Sequence, residues 1–225
     1  MRGRGVALLK DDQTRGYIGA ITVFVTIYAA HLMIQDHFDG WHAFRRAAFS
    51  VVSIMTGTGY GYGDFQVWGA FSSAFLFCLM FVGGCAGSTS CSIKIFRFQV
   101  AFVALRSFLR EMIRPHNVAP MRYNKRPLPH SAVHSVLSFF FLFFAVFAVT
   151  AFALALYGLD TTTALSAAAS AVGNVGPGLG AHIGPSGHYA GLPDPTKWIL
   201  AFAMLIGGLE ILTVLVLFTP AFWRR

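Results

Sequence analysis

Long and short apolar stretches alternate along this chain, and a glycine-rich break follows each short one. Residues 17–34 form an uncharged apolar run of 18 residues, about the length that a transmembrane helix needs. Residues 41–54 form a shorter run with two arginines near its start, which predicts a half-length helix that enters the membrane and ends inside it. The glycine-rich segment 55–64 comes next, and a run over residues 65–82 predicts a second full-length helix.

The same order recurs in the second part of the chain. Residues 131–157 predict a spanning helix, residues 160–172 predict a half-length helix, and a second glycine-rich break follows. A polar loop then leads to the last apolar run, residues 198–218. Gly59 and Gly176 hold equivalent places in the two breaks, 117 residues apart. A repeat on this scale predicts two copies of one structural unit.

A polar interruption follows the first repeat's last apolar run. Residues 83–92 contain three glycines and four hydroxyl residues, a composition that weakens a helix. The sequence therefore predicts a membrane helix that is broken at this point, at the end of the first repeat. The predicted divisions are a cytosolic flank at 1–16, a first repeat at 17–108, a basic cytosolic linker at 109–130 and a second repeat at 131–225.

Composition places these elements in a membrane. Of the 225 residues, 56% are hydrophobic and only 12% are charged, which is about half the charged share of a soluble domain. The mean hydropathy is +0.61. The predicted fold is an all-α membrane protein of two tandem units, each with a helix, a half-length helix, a glycine-rich pore loop and a second helix.

The distribution of charge predicts the orientation. With the amino terminus in the cytosol, 14 of the 17 Lys and Arg residues lie on the inner side, as the positive-inside rule requires. We therefore expect a multi-pass protein of the bacterial inner membrane, with both termini cytoplasmic and both glycine loops in the outer half. The rule also accounts for the net charge of +8, so no nucleic-acid partner is expected. Five outer acids would concentrate cations, namely Asp36, Asp39, Asp64, Asp160 and Asp194.

The glycine-rich loops have the composition of a cation filter. Non-helical backbone at membrane depth is tolerated only where protein covers it or where it lines a water-filled path. Rings of backbone carbonyls can replace the hydration shell of a cation in such a path. A generic turn is the alternative, but it does not explain why the loop recurs. A dinucleotide-binding loop does not fit, because Tyr62 stands where its third glycine is required.

Four segments resemble the Trk/Ktr-type potassium-uptake family, and in particular the membrane subunit of Trk systems. They are residues 51–60, 81–89, 171–180 and 209–223. In that family, four helix–pore-loop–helix repeats surround one pore, as in potassium channels. This sequence resembles the third and fourth repeats only, so the resemblance implies half of a pore.

The resemblance also implies the site residues. Backbone carbonyls of two five-residue segments would form the selectivity filter and would bind potassium, which is transported rather than held as a cofactor. The segments are Thr56, Gly57, Thr58, Gly59 and Tyr60 in the first loop, and Gly173, Asn174, Val175, Gly176 and Pro177 in the second. An intramembrane gating loop would comprise Gly83, Gly84, Cys85, Ala86, Gly87, Ser88, Thr89, Ser90, Cys91 and Ser92. A kinked helix that permits close packing is the alternative for this segment.

The expected function is potassium uptake by this half-pore, assembled with a second copy or with a chain that carries the other two repeats. A cytosolic nucleotide-binding subunit would regulate it. Two departures from the family pattern concern the gate: residues 90–92 stand in place of further glycines, and Gly208 stands in place of a pore-facing arginine. The alternative is a non-conducting protein, either a truncated product or a regulatory membrane subunit.

One acid, Glu210, lies inside an apolar span, and such groups are functional candidates. An ion pair with Lys94 would tie the last helix to the broken one, and a role in coupled transport is the alternative. Lys94 itself either lines the cytosolic exit or extends to the membrane interface. The sequence contains no discernible Ser/His/Asp or Cys/His set, so we expect no enzymatic activity.

Overall fold

The computed structural model describes residues 11–35, 39–114, 121–124, 126–180, 182–209, 216 and 220–223, and most of them are helical. The helices are α1 (Asp12–Ile34), α2 (Gly40–Thr56), α3 (Ala70–Leu79), α4 (Ile95–Ile113), α5 (His130–Leu156), α6 (Thr161–Gly173), α7 (Asp194–Gly208) and α8 (Pro220–Trp223). Two-residue strands form a parallel pair, β1 (Val82–Gly83) with β2 (Ile93–Lys94), and an antiparallel pair, β3 (Arg122–Tyr123) with β4 (Arg126–Pro127). The prediction of an all-α protein is confirmed apart from these short pairs.

Among the described residues, two helices, α1 and α5, are long and apolar enough to cross a membrane. They have 23 and 27 residues and mean hydropathies of 1.8 and 2.6, and they are about 35 and 40 Å long at 1.5 Å per residue. Helix α1 begins five residues before the predicted apolar run, because the Asp11 side chain accepts a hydrogen bond from the Thr14 N–H and caps its first turn. Helices α2 and α6, with 17 and 13 residues, are the predicted shorter helices.

The prediction of one continuous helix over residues 65–82 is wrong. The Asp64 side chain accepts a hydrogen bond from the Gln66 N–H at 2.9 Å and starts a 3-10 turn, Phe65–Trp68. Gly69 then adopts a φ of +100°, which interrupts the helical path. Helix α3 therefore has only 10 residues and a length of about 15 Å, too short to cross a bilayer.

Other boundaries also differ from the predictions. Helix α4 continues to Ile113, so the predicted start of the linker at residue 109 falls inside a helix. Within the linker, β3 and β4 form a small hairpin. Helix α7 begins at Asp194 with a proline in its first turn, four residues before the predicted apolar run. Much of the predicted last span, including Glu210, lies outside the described residues.

The two repeats each have a buried cluster, and Phe81 packs against both. Its ring centroid lies 5.4 Å from that of Phe147 on α5. Helix α6 is almost entirely buried, and its sequence consists mostly of Ala, Ser and Thr. Small side chains let helices approach closely, so α5 and α7 enclose α6 and hold its carboxyl end at a fixed place inside the protein.

Candidate functional site

The first glycine-rich loop turns back along the helix that precedes it. Gly57 ends α2 with a φ of +74°, and the Thr58 N–H donates to the Ser53 carbonyl at 3.0 Å. The Ser53 hydroxyl then donates to the Tyr60 carbonyl at 2.8 Å. Further along, the Tyr62 hydroxyl accepts a hydrogen bond from Arg45 near the start of α2. The loop therefore runs antiparallel to α2, from its end back toward its beginning.

The second loop follows the same course beside α6. Asn174 ends the helix with a φ of +50°, and the Val175 N–H donates to the Ser170 carbonyl at 2.9 Å. The Ser170 hydroxyl accepts from the Gly176 N–H at 3.0 Å. One turn earlier, the Ser166 hydroxyl accepts from the Leu179 N–H at 2.8 Å and donates to the Leu179 carbonyl at 3.1 Å. Serine side chains of the helix therefore hold the returning backbone.

The two loops share backbone conformations at the spacing of the sequence repeat. Three pairs of residues, each 117 apart, have positive φ angles: Gly57 and Asn174 (+74° and +50°), Gly59 and Gly176 (+75° and +113°), and Gly63 and Gly180 (+81° and +103°). The bracing serines of the two helices, Ser53 and Ser170, also stand 117 apart. The sequence repeat is therefore a repeat of local geometry as well.

The loops meet at Gly59. A Cβ atom on Gly59 would overlap the Val175 carbonyl oxygen and would lie 3.4 Å from Pro177 Cδ. A Cβ atom on Gly176 would lie 3.8 Å from Gly59 Cα. The two backbones are in direct contact here, and only a residue without a side chain fits between them.

Residues 83–92 pack against the ends of α2 and α6, beside the two loops. The Ser92 hydroxyl donates to the Met80 carbonyl at 2.7 Å and is 3.3 Å from the carbonyl of Gly173, the last residue of α6. A Cβ atom on Gly57 would lie 3.9 Å from Ser90 Cα and 3.8 Å from the Asn174 carbonyl oxygen. The structure thus brings the ends of α2 and α6 and this third segment together.

The ends of this third segment are fixed, whereas its centre is exposed. The pairing of β1 with β2 joins the two ends of the segment, so that it forms a closed loop. Inside this loop, the Ser90 hydroxyl accepts a hydrogen bond from the Gly84 N–H at 3.1 Å. Local hydrogen bonds link Ser88 to the Cys85 carbonyl and Cys91 to the Thr89 carbonyl. Residues 86–89 are exposed, and the Ala86 N–H donates to the Gln13 side chain of α1 at 3.1 Å.

A cavity of about 90 Å³ adjoins this segment. It is lined by residues 88–91, by Lys94 and Arg97, by two phenylalanines of α5, and by Gly207 and Gly208 of α7. The Arg97 guanidinium is buried and lies 3.8 Å from the centroid of the Phe139 ring. Lys94 lines this cavity, and its place at a cytosolic exit stays a prediction. Its pairing with Glu210 stays a prediction, because Glu210 lies outside the described residues.

Three residues of the second repeat support its loop, and two of them, Tyr189 and Gly207, were not predicted from the sequence. The Tyr189 hydroxyl donates to the Gly176 carbonyl at 2.8 Å, and burial raises the pKa of this tyrosine, so that it remains a neutral donor. The Asn174 side chain donates to the Met204 carbonyl of α7 at 2.9 Å. Gly207 of α7 packs directly on the Val172 carbonyl, and a Cβ atom there would overlap it.

Asp160 caps the helix that leads into the second loop, and its effect on stability is expected to depend on pH. Thr163, whose N–H donates to this carboxyl at 3.0 Å, holds its pKa below its usual value. The carboxylate therefore stabilises the fold above its unfolded-state pKa of about 3.9, and this contribution is lost as the pH falls through the lower folded-state pKa. Asp160→Ala should cost about 1 kcal/mol at pH 7.

Thermal unfolding in detergent would check this expectation. The melting temperature of Asp160→Ala should fall about 2–4 °C below that of the wild type at pH 7, and the difference should shrink below pH 4. Asp160→Asn is the control, because asparagine keeps the capping oxygen but does not titrate. An equal difference for Asp160→Ala at both pH values would contradict the assignment of the cap to the ionised form.

The fold and the site define a class: a mostly helical membrane protein in which two short helices end at returning loops that meet. The chain belongs to the TrkH family of cation transport proteins, whose family model matches residues 18–225. The family-level resemblance seen in the sequence is therefore confirmed.

Individual relatives show the same relationship. The chain is 48% identical over 225 residues to the Trk system potassium uptake protein TrkI of Halomonas elongata, covering 100% of this chain and 46% of that protein. It is 35% identical over 219 residues to the TrkH protein of the same organism. The crystal structure of the potassium transporter TrkH from Vibrio parahaemolyticus matches 98% of this chain with a TM-score of 0.90 and 32% identity, and 47% of that transporter is covered. The chain spans less than half the length of these relatives.

Proposed function

We propose that this chain forms half of a potassium-conducting pore and takes part in potassium uptake. The observation that carries the proposal is the pair of returning loops, which repeat the same backbone conformations at a spacing of 117 residues and meet at Gly59. The named relatives are potassium uptake proteins, which supports potassium as the ion. The two five-residue segments predicted from the sequence, residues 56–60 and 173–177, would supply the filter carbonyls.

The direction of the two short helices supports a cation path. Both α2 and α6 end at the loops, so their carboxyl ends, which carry partial negative charge, point toward the place where the loops meet. With the charge-based orientation, both loops open to the outer side, and both chain termini lie in the cytoplasm of a bacterial inner membrane. Residues 83–92 lie on the inner side of the loops and would gate the path.

The open side of the first loop supports a partner that completes the pore. Thr58, Tyr60 and Gly61 are exposed, and Tyr60 is 72% exposed. Polar backbone in a bilayer must be covered by protein or must line water. A second copy of this chain, or a chain that carries the other two repeats, would cover this face. A cytosolic nucleotide-binding subunit would act on the exposed centre of residues 83–92.

Rubidium uptake into liposomes tests the proposal. The chain would be reconstituted alone, to allow a dimer of itself, and together with a chain that carries the first two family repeats. We expect saturable rubidium uptake that potassium inhibits far more strongly than sodium, in at least one of the two preparations. Gly19→Ala on α1 is the matched control, because a Cβ atom there meets nothing within 4 Å. Absence of flux in both preparations would overturn the proposal.

The alternative is a non-conducting or regulatory membrane subunit, and one observation favours it. Ser90, Cys91 and Gly208, which stand where the family pattern has glycines and an arginine, line the cavity beside residues 83–92. Under this alternative the chain would bind a conducting partner and change the rate of its uptake. Substitutions in residues 56–60 would then leave the selectivity of the assembly unchanged, whereas the proposed function requires a change.

A further inference from the structure

Gln66 joins the two returning loops at the ends distant from α2 and α6. It lies in the 3-10 turn after the first loop, while its partner Gly180 is the last positive-φ residue of the second loop. The Gln66 side-chain oxygen accepts from the Gly180 N–H at 2.7 Å, and its side-chain nitrogen lies 3.4 Å from the Gly180 carbonyl oxygen. One amide thus pairs with both backbone groups of a residue that is 114 positions away.

The Gln66 side chain is itself held in place. The Asp64 carboxylate accepts from the Gln66 N–H at 2.9 Å and from the Gln66 side-chain nitrogen at 3.3 Å. Both flanking aromatic residues of the turn, Phe65 and Trp68, are buried. With an anion beside its nitrogen and an N–H beside its oxygen, the amide has one favourable orientation. A rigid connection between the two loops follows from this arrangement.

The second loop is shaped to receive this side chain. A Cβ atom on Gly184 would overlap the Gln66 side-chain nitrogen, and a Cβ atom on Gly180 would overlap the Thr163 hydroxyl of α6. Gly180 also has a φ of +103°, which side chains disfavour. The Gly180 backbone therefore lies between the first turn of α6 and the Gln66 amide, with little room to shift.

We propose that Gln66 is a positioning residue of the ion path. Its hydrogen bonds to Gly180 fix the distance between the two loops and thereby the positions of the carbonyls that face the ion. The proposal rests on the proposed function. Elsewhere the loops meet by packing, at Gly59 and Val175, whereas the hydrogen bonds of Gln66 fix both distance and direction. Since a filter distinguishes ions by the number and geometry of its carbonyls, a loosened loop would lose selectivity before it lost conduction.

The test uses Gln66→Met, which keeps the length and approximate volume of the side chain but removes both hydrogen bonds to Gly180 and the one to Asp64. Gln35→Ala, at an exposed position after α1, is the control for the loss of a glutamine. Two quantities would be measured: hydrogen exchange of the Gly180 amide in detergent, and the ratio of rubidium to sodium uptake in the conducting assembly.

We expect Gln66→Met to speed exchange at Gly180 about tenfold, as the loss of a hydrogen bond implies, and to lower the rubidium-to-sodium ratio several-fold at an unchanged yield of folded protein. Unchanged exchange in Gln66→Met would show that Gln66 does not hold Gly180 through hydrogen bonds. Faster exchange with wild-type selectivity would overturn the positioning role. A wild-type assembly without flux would defeat the proposed function, and with it the positioning role, whereas the exchange measurement would still decide the connection.

Discussion

Alanine in place of Gly59 is expected to abolish rubidium flux through the assembled pore. The new Cβ atom would overlap the Val175 carbonyl oxygen, which belongs to the backbone of the other loop and cannot rotate away as a side chain would. The φ of +75° adds strain for any residue with a Cβ atom. The two loops would have to separate at the point where they meet, so the carbonyl geometry would be lost. Rubidium uptake in liposomes measures the effect.

Two other glycines provide controls that separate backbone strain from collision. Gly176 has a φ of +113°, but a Cβ atom there would meet nothing closer than 3.8 Å, so Gly176→Ala should retain more flux than Gly59→Ala. Gly69 has a φ of +100° and nothing within 4 Å, and it lies outside both loops. Gly69→Ala should keep wild-type selectivity. Equal flux in Gly59→Ala and Gly69→Ala would show that the contact at Gly59 does not matter for conduction.

Gly207→Ala is expected to destabilise the protein. Its Cβ atom would overlap the Val172 carbonyl of α6 and would lie 3.2 Å from the Asn174 side-chain nitrogen. Helix α7 would have to move away from α6, at a cost of about 1–3 kcal/mol. The hydrogen bond from Asn174 to Met204 would be strained at the same time, so flux should fall together with the melting temperature.

The neighbouring glycine is a matched control for this substitution. A Cβ atom on Gly208 would lie 3.8 Å from the Asn174 side-chain nitrogen, which is an ordinary contact distance. Alanine is also the better helix former by about 0.5–1 kcal/mol. We therefore expect the melting temperature to fall by about 5 °C in Gly207→Ala and to stay level or rise in Gly208→Ala. A similar decrease in both variants would indicate a general intolerance of α7.

The sequence predicted the helices well because their signals are local. The apolar runs located α1, α2, α5 and α6 to within a few residues, and the spacing of 117 between Gly59 and Gly176 matched a repeat of backbone conformation. The apolar pattern failed at residues 65–82, where every side chain is compatible with a helix. There the cap at Asp64 and the positive φ of Gly69 decided the outcome, and hydrophobicity does not encode either of them.

The parts of the site that were missed depend on contacts between distant segments. Gln66 finds its partner 114 residues away, Ser92 reaches Gly173 across 81 residues, and Gly207 packs on a different helix. No pattern near these residues indicates such partners. The serine pair was the exception, because Ser53 and Ser170 stand at the repeat spacing. A comparison of the two halves at an offset of 117 would have identified both as equivalent.

The exposed face of the first loop links folding to assembly. Thr58, Tyr60 and Gly61 present polar groups and backbone that a bilayer does not solvate well. A partner that binds only the folded chain stabilises it in proportion to the logarithm of that partner's concentration. If the proposed function holds, the free energy of unfolding of this chain therefore rises with the concentration of its partner in the membrane. Copies without a partner are expected to unfold first.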